Sequence, residues 1–108
     1  MAKTFKSAAT GSNTAITTMY TCPAATSAVV HAMYLSNIDG TNDATISVSV
    51  SGSANFQTRR YLLKTVDVPA DSTVVIEKPV NLGASDKLET QASADGDIDV
   101  FASILEIT

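Results

Sequence analysis

Tryptophan is absent from this sequence, and cysteine and histidine occur once each. Each scarcity closes off a class of chemistry. A lone cysteine, Cys22, excludes an intrachain disulfide and any multi-cysteine metal site. Its setting, YTCPA, is apolar and carries no charge that would lower a thiol pKa, so Cys22 reads as a packing residue. The lone histidine, His31, sits inside the apolar stretch VVHAM, with no nucleophile elbow elsewhere in the chain to serve. Glycine-rich phosphate loops and HExxH spacing are also missing. Glu77, Glu89 and Glu106 fall on separate expected strands, with nothing in the sequence to pair them. The chain is expected to be no enzyme and to hold no cofactor.

Positive charge is scarce as well. Seven Lys and Arg residues stand against eleven Asp and Glu, a net charge of −4. Such a balance repels phosphate backbones, and no basic stripe offsets it, so no nucleic-acid partner is expected. Uninterrupted apolar runs are short. None approaches the roughly 18 residues that mark a bilayer span, so no membrane partner is expected either. The opening MAKTFKSAATGSN has two lysines without an apolar core behind them and does not read as a secretion signal. A soluble protein folded in the cytoplasm that makes it is the expectation, as one domain over residues 1–108.

What the sequence has in quantity is small residues: 15 Ala, 14 Thr and 12 Ser. Thr suits pleated strands, while Ala and Ser pack closely without demanding partners. Period-two alternation follows. In ATISVSVS (44–51), Ile46, Val48 and Val50 share one face and Ser47, Ser49 and Ser51 the other. SAVVHAMYLSN (27–37) is apolar on both faces, as a strand covered on both sides would be. FQTRRYLLKTVDV (56–68) changes parity, which predicts a bulge near Arg59–Arg60. KTFKSA (3–8), TAITTMYT (14–21), STVVIEK (72–78), DKLETQAS (86–93) and IDVFASILEI (98–107) complete the strands. Turn residues fall between them in CPAAT, NIDGTND, SGSAN, VPADS, NLGASD and SADGD. The fold class is therefore all-β: a single antiparallel β-sandwich, jelly-roll-like, of about eight strands.

Two acidic loops invite a calcium reading. An EF-hand needs Gly at position 6 and Glu at position 12 of its loop. Counted from Asn37, those positions hold Asn42 and Val48; counted from Asp95, position 6 is Val100. Strands flank both loops, so the EF-hand is excluded. Asp95, Asp97 and Asp99 stay as weak candidates for a looser oxygen site. The alternative is that Asp-Gly at 39–40 and 95–96 forms positive-φ hairpin corners.

Surfaces remain. Arg59, Arg60 and Tyr61 form the densest basic feature and read either as interface anchors or as solvated residues at a strand bend. Lys3, Phe5 and Lys6 lie in a segment, 1–13, that reads as an N-terminal arm for a neighbour or as a frayed end. His31, Met33 and Leu35 share one face by parity, covered either by another subunit or by the core.

YTCPAATSAVVHAMYLSN (20–37) and DVPADSTVVIEKPVNLGASDKLETQAS (67–93) resemble small β-sandwich virion proteins of tailed bacteriophages. In that group an aromatic-Thr-x-Pro-Ala turn leads into a Val-rich strand ending in Asn, here Tyr20, Thr21, Pro23, Ala24, Val29, Val30 and Asn37. A Val-Pro-Ala-x-x-Thr turn then precedes a strand (Val68, Pro69, Ala70, Thr73), and a Leu-x-x-x-Asp-x-Leu segment precedes the last hairpin (Leu82, Asp86, Leu88). Cys22 stands where a Val-like residue is more usual. The resemblance covers about three-quarters of the chain. It implies a non-enzymatic capsid decoration (cement) protein of the virion, bound to the major capsid protein or other virion proteins and forming a homo-oligomer, with a trimer favoured. Alternatives are a neck, tail or fibre component or, from a different class, a carbohydrate- or Ca²⁺-binding sandwich module.

Overall fold

A computed structural model describes residues 2–52 and 59–108. Nine strands are present among them: β1 (Lys3–Gly11), β2 (Thr17–Thr21), β3 (Ser27–Asn37), β4 (Ala44–Ser51), β5 (Arg60–Val68), β6 (Thr73–Ile76), β7 (Val80–Leu82), β8 (Lys87–Ala92) and β9 (Ile98–Ile107). They form two antiparallel sheets, ordered β1-β9-β3-β6 with β7 also on β3, and β2-β8-β4-β5. β6 and β7 both pair with β3, one after the other, so they act as one strand interrupted around Pro79. Counted so, the eight strands pair first with last, second with second-last, and inward to the β4–β5 hairpin. That nesting is a long hairpin rolled into a jelly roll, as the alternation predicts.

The core forms between the sheets from one parity of each strand. Ile98, Val100, Ala102 and Ile104 of β9 meet Ile46, Val48 and Val50 of β4, with Met33, Leu35, Leu82 and Leu88 filling the layer. β3 and β9 pair along ten residues, which makes them the spine of their sheet.

The structure corrects two expectations here and refines a third. Residues 3–11 of the expected arm are a sheet strand: β1 pairs with β9 residue for residue from Lys3↔Ile107 to Gly11↔Asp99. β5 shifts register against β4 twice, and at the first shift Leu62 is extra between Ser49↔Tyr61 and Val48↔Leu63, beside the place expected near Arg59–Arg60. Val48 pairs with Leu63 and Ile46 with Val66, so Lys64 and Thr65 together face Ser47. Thr65 takes φ 53° there, and its N–H donates to Ser47 Oγ at 2.9 Å. The part of the expected strand from Phe56 to Thr58, and most of the SGSAN turn, lie outside the described residues.

NIDGTND is not a hairpin corner. It carries the chain from β3 in one sheet to β4 in the other, and the positive-φ glycine of the two Asp-Gly pairs is Gly96 alone, at φ 75°. Side chains fold the crossover instead. Asp39 Oδ1 accepts from the N–H groups of Thr41 (2.8 Å) and Asn42 (3.2 Å), which hold its carboxyl below the usual range. Buried Asn37 donates to the carbonyls of Asn42 and Val68, and Asp43 accepts from Ala70 N–H.

Candidate assembly surface

In β9 the residues opposite the core parity are Asp99, Phe101, Ser103, Leu105 and Ile107, and they face outward. Strand registers carry this outer face across the sheet. Ala9 of β1 pairs with Phe101, Phe101 with Tyr34 of β3, and Tyr34 with Val75 of β6. Tyr34, Phe101 and Val75 are 44%, 41% and 40% exposed, and the two rings sit 6.1 Å apart in a tilted pair. A shallow hollow of about 420 Å³ lies beside them, lined by Ala9, Tyr34, Ser36, Asp99 and Phe101 among others. A second row runs Phe5–Leu105–Val29, with Phe5 80% exposed. Contiguous apolar rows on one face of a monomer mark an interaction surface, where single exposed apolar residues would not.

The interface candidates do not converge on one place. Lys3 and Phe5 lie on this outer face. His31 is exposed because the β3–β9 register shifts between Val30 and Ala32, which places it in a bulge. The same shift corrects the expected face. Met33 and Leu35 sit fully in the core, so Met33 is a packing residue and shares no surface with His31. Lys6 has the inner parity of β1 but lies half-exposed at the open edge, where its Nζ pairs with Glu106 Oε1 at 3.1 Å. Arg60 and Tyr61 are exposed on β5, and Lys64 Nζ stands 4.8 Å over the Tyr61 ring. Arg59 is committed to buried Glu89, with two guanidinium nitrogens on its carboxylate at 3.2–3.4 Å. Ser51 Oγ donates to the same carboxylate at 2.7 Å.

Sequence reasoning missed Tyr34, Phe101 and Val75. For Tyr34 the signal was present, since β3 is apolar at both parities, but that pattern reads equally as coverage on both sides.

Asp95, Asp97 and Asp99 form no ligand cage. Asp95 Oδ1 accepts from Thr14 N–H at 2.8 Å, the Asp97 carbonyl accepts from Ile38 N–H, and Asp99 lies on the outer face of β9 beside Gly11. Among the described residues, no three His, Cys, Asp or Glu side chains gather where they could hold a metal ion. The Cys22 thiol is buried against the Thr26 carbonyl (3.3 Å). Burial first, then the Glu106 and Asp86 charges, push its pKa up, which keeps it an unreactive thiol. No helix among the described residues is long and apolar enough to cross a membrane.

No family model matches the sequence, and no curated protein matches it. Two solved structures are similar in fold. One is a chain of the T13 viral particle of IBDV, at TM-score 0.59 and 10% identity, over 96% of this chain and 30% of that one. The other belongs to Bacillus endospore appendages, a family of disulfide-linked pili, at TM-score 0.56 and 16% identity, over 99% of this chain and 87% of that one. This chain thus spans under a third of the viral chain it matches. At such identities the likeness is one of fold.

Proposed function

We propose that this chain is a non-enzymatic structural subunit of a virion, a decoration protein seated on the outside of a capsid. The observation that carries the reading is the pair of apolar rows on the outer face of the β1-β9-β3-β6 sheet. They lie on a jelly roll whose interior is filled by its own side chains. A fold shared with a chain of a viral particle, and the sequence resemblance to virion sandwich proteins, support the same reading. A subunit repeated over a lattice gains avidity from many shallow contacts, which suits a broad, open face better than a deep pocket. The resemblance implies three-fold association. The single chain offers no face that selects it.

A pilus held by disulfides fits poorly, because the one cysteine, Cys22, is buried. The deciding experiment uses capsids purified without this protein. Re-addition of the protein raises their resistance to heat, and Phe101→Asp and Tyr34→Asp variants bind weakly. Failure to bind capsids sinks the decoration role, and a low copy number per particle moves the protein to the neck, tail or fibre.

A further inference from the structure

A sandwich with open sheets must guard its edges, because each edge strand presents unpaired N–H and C=O groups that another strand can use. Three of the four edges here are blunted. β2 is five residues long with a register shift, β5 is bulged at Thr65, and β6 and β7 are short and split around Pro79. β1 differs from them all. It runs nine residues with no proline, no bulge and no register shift, and its ladder is to β9 alone. Its one inward charge, Lys6, would ordinarily guard such an edge, but Glu106 of the same chain neutralises it at 3.1 Å.

We infer that β1 adds antiparallel to β1 of a second copy of this chain, about a two-fold axis through Ser7. The inference stands on the edge itself and not on the virion reading. Full overlap of a strand spanning Lys3–Gly11 places Ser7 opposite its own mate, Phe5 opposite Ala9 and Lys3 opposite Gly11. Directly opposed residues of an antiparallel pair point to the same face, so the outer faces of the two copies become continuous. Each opposition then finds a complement. Phe5, 80% exposed, meets the smallest apolar residue of the strand, and beyond that Ala9 lies the hollow lined by Phe101 and Tyr34. Lys3 meets glycine, and the Asp99 carboxylate stands beside that glycine, 3.9 Å from where a Cβ would be. Lys6 meets Ala8. Shifting the register to put the axis through Lys6 would oppose two lysines and leave Phe5 against Ser7. The result is an isologous contact that closes on itself as a dimer.

The test uses the isolated full chain. Sedimentation should show a monomer–dimer equilibrium, and Phe5→Asp should raise the dimer dissociation constant by at least about tenfold, the effect of losing one interface anchor. Lys3→Asp should weaken the dimer, and the swapped pair Lys3→Asp with Asp99→Lys should restore it. These residues are exposed, so an unchanged melting curve separates interface loss from misfolding. Ser7→Cys gives a geometric readout, because opposed Cα atoms about 4.5–5.5 Å apart lie within disulfide range. It should cross-link on oxidation, whereas Ala9→Cys should not, its mate lying about 13 Å away along the strand. A monomer up to the solubility limit, a trimer, or equal cross-linking from both cysteines overturns the inference. Each of these outcomes leaves the capsid-binding test free to succeed or fail by itself.

Discussion

The Tyr20 hydroxyl on β2 donates to the Glu106 carboxylate on β9, joining the two sheets at the edge where Lys6 closes the same carboxylate from β1. This bond, first, and then Lys6 hold Glu106 below the ordinary carboxylate range against the opposing effect of its burial. Burial and the same carboxylate push the Tyr20 phenol upward. Tyr20→Phe should therefore destabilise the fold by about 1.5–3 kcal/mol at neutral pH, the usual worth of a hydrogen bond to a charged group. A depressed carboxylate stabilises above its unfolded pKa and loses that contribution as pH falls through its folded one. A raised phenol stabilises below about pH 10 and loses that contribution above it. Melting temperatures across pH should thus show the gap between wild type and Tyr20→Phe closing in acid and narrowing again in strong alkali. A gap constant with pH would show that the bond is not the cause.

Gly52 leaves β4 directly against Asp86. A Cβ there would fall inside the Asp86 carboxylate and lie 3.1 Å from its Cα. Asp86 cannot give way easily, because it is fully buried, its carbonyl accepts from Cys22 N–H at 2.8 Å, and its Oδ2 accepts from Gly83 N–H at 2.8 Å. Gly52→Ala should cost about 1–3 kcal/mol, as overpacking of a tight site does. Urea titration measures it directly, and a wild-type midpoint would show that the two backbones can part.

Which parts of this structure were legible in the sequence follows from how local each signal is. β3, β4 and β9 begin and end where SAVVHAMYLSN, ATISVSVS and IDVFASILEI do, because alternation between turn residues is a property of consecutive side chains. Bulges are not local in that sense. Whether His31 or Thr65 is the extra residue depends on the partner strand, so parity counted along one strand put His31 and Met33 on one face when the fold separates them. The edge strands were hidden for the same reason. Nothing within KTFKSA announces that β1 has a neighbour on one side only. Tyr20 and Glu106, 86 residues apart, meet through the sheet topology alone.

Thr65 holds a left-handed backbone at φ 53°, a conformation that costs an L residue about 1–2 kcal/mol and suits a branched side chain least. Its side chain is exposed, and its hydrogen bond to Ser47 uses the backbone N–H. Thr65→Gly keeps that bond and relieves the strain, at the cost of a freer unfolded chain. A net gain of about 0.5–1 kcal/mol is expected. Thr65→Val should give no gain, which separates backbone strain from any effect of removing a hydroxyl.

Thr90 lies at the centre of β8, 1% exposed, facing Val48 across the ladder, and its hydroxyl finds no hydrogen-bond partner among the described residues. A buried hydroxyl left unpaired carries a desolvation cost that an isosteric methyl does not. Thr90→Val should accordingly leave stability unchanged or raise it by up to about 1 kcal/mol, the reverse of most core substitutions. Thr90→Ala supplies the contrast, since it removes the same hydroxyl but also the methyl that fills the layer, and it should destabilise. Thermal unfolding of the two variants side by side decides the matter: if Val destabilises as much as Ala, the hydroxyl has a partner in solution and the argument from its burial fails.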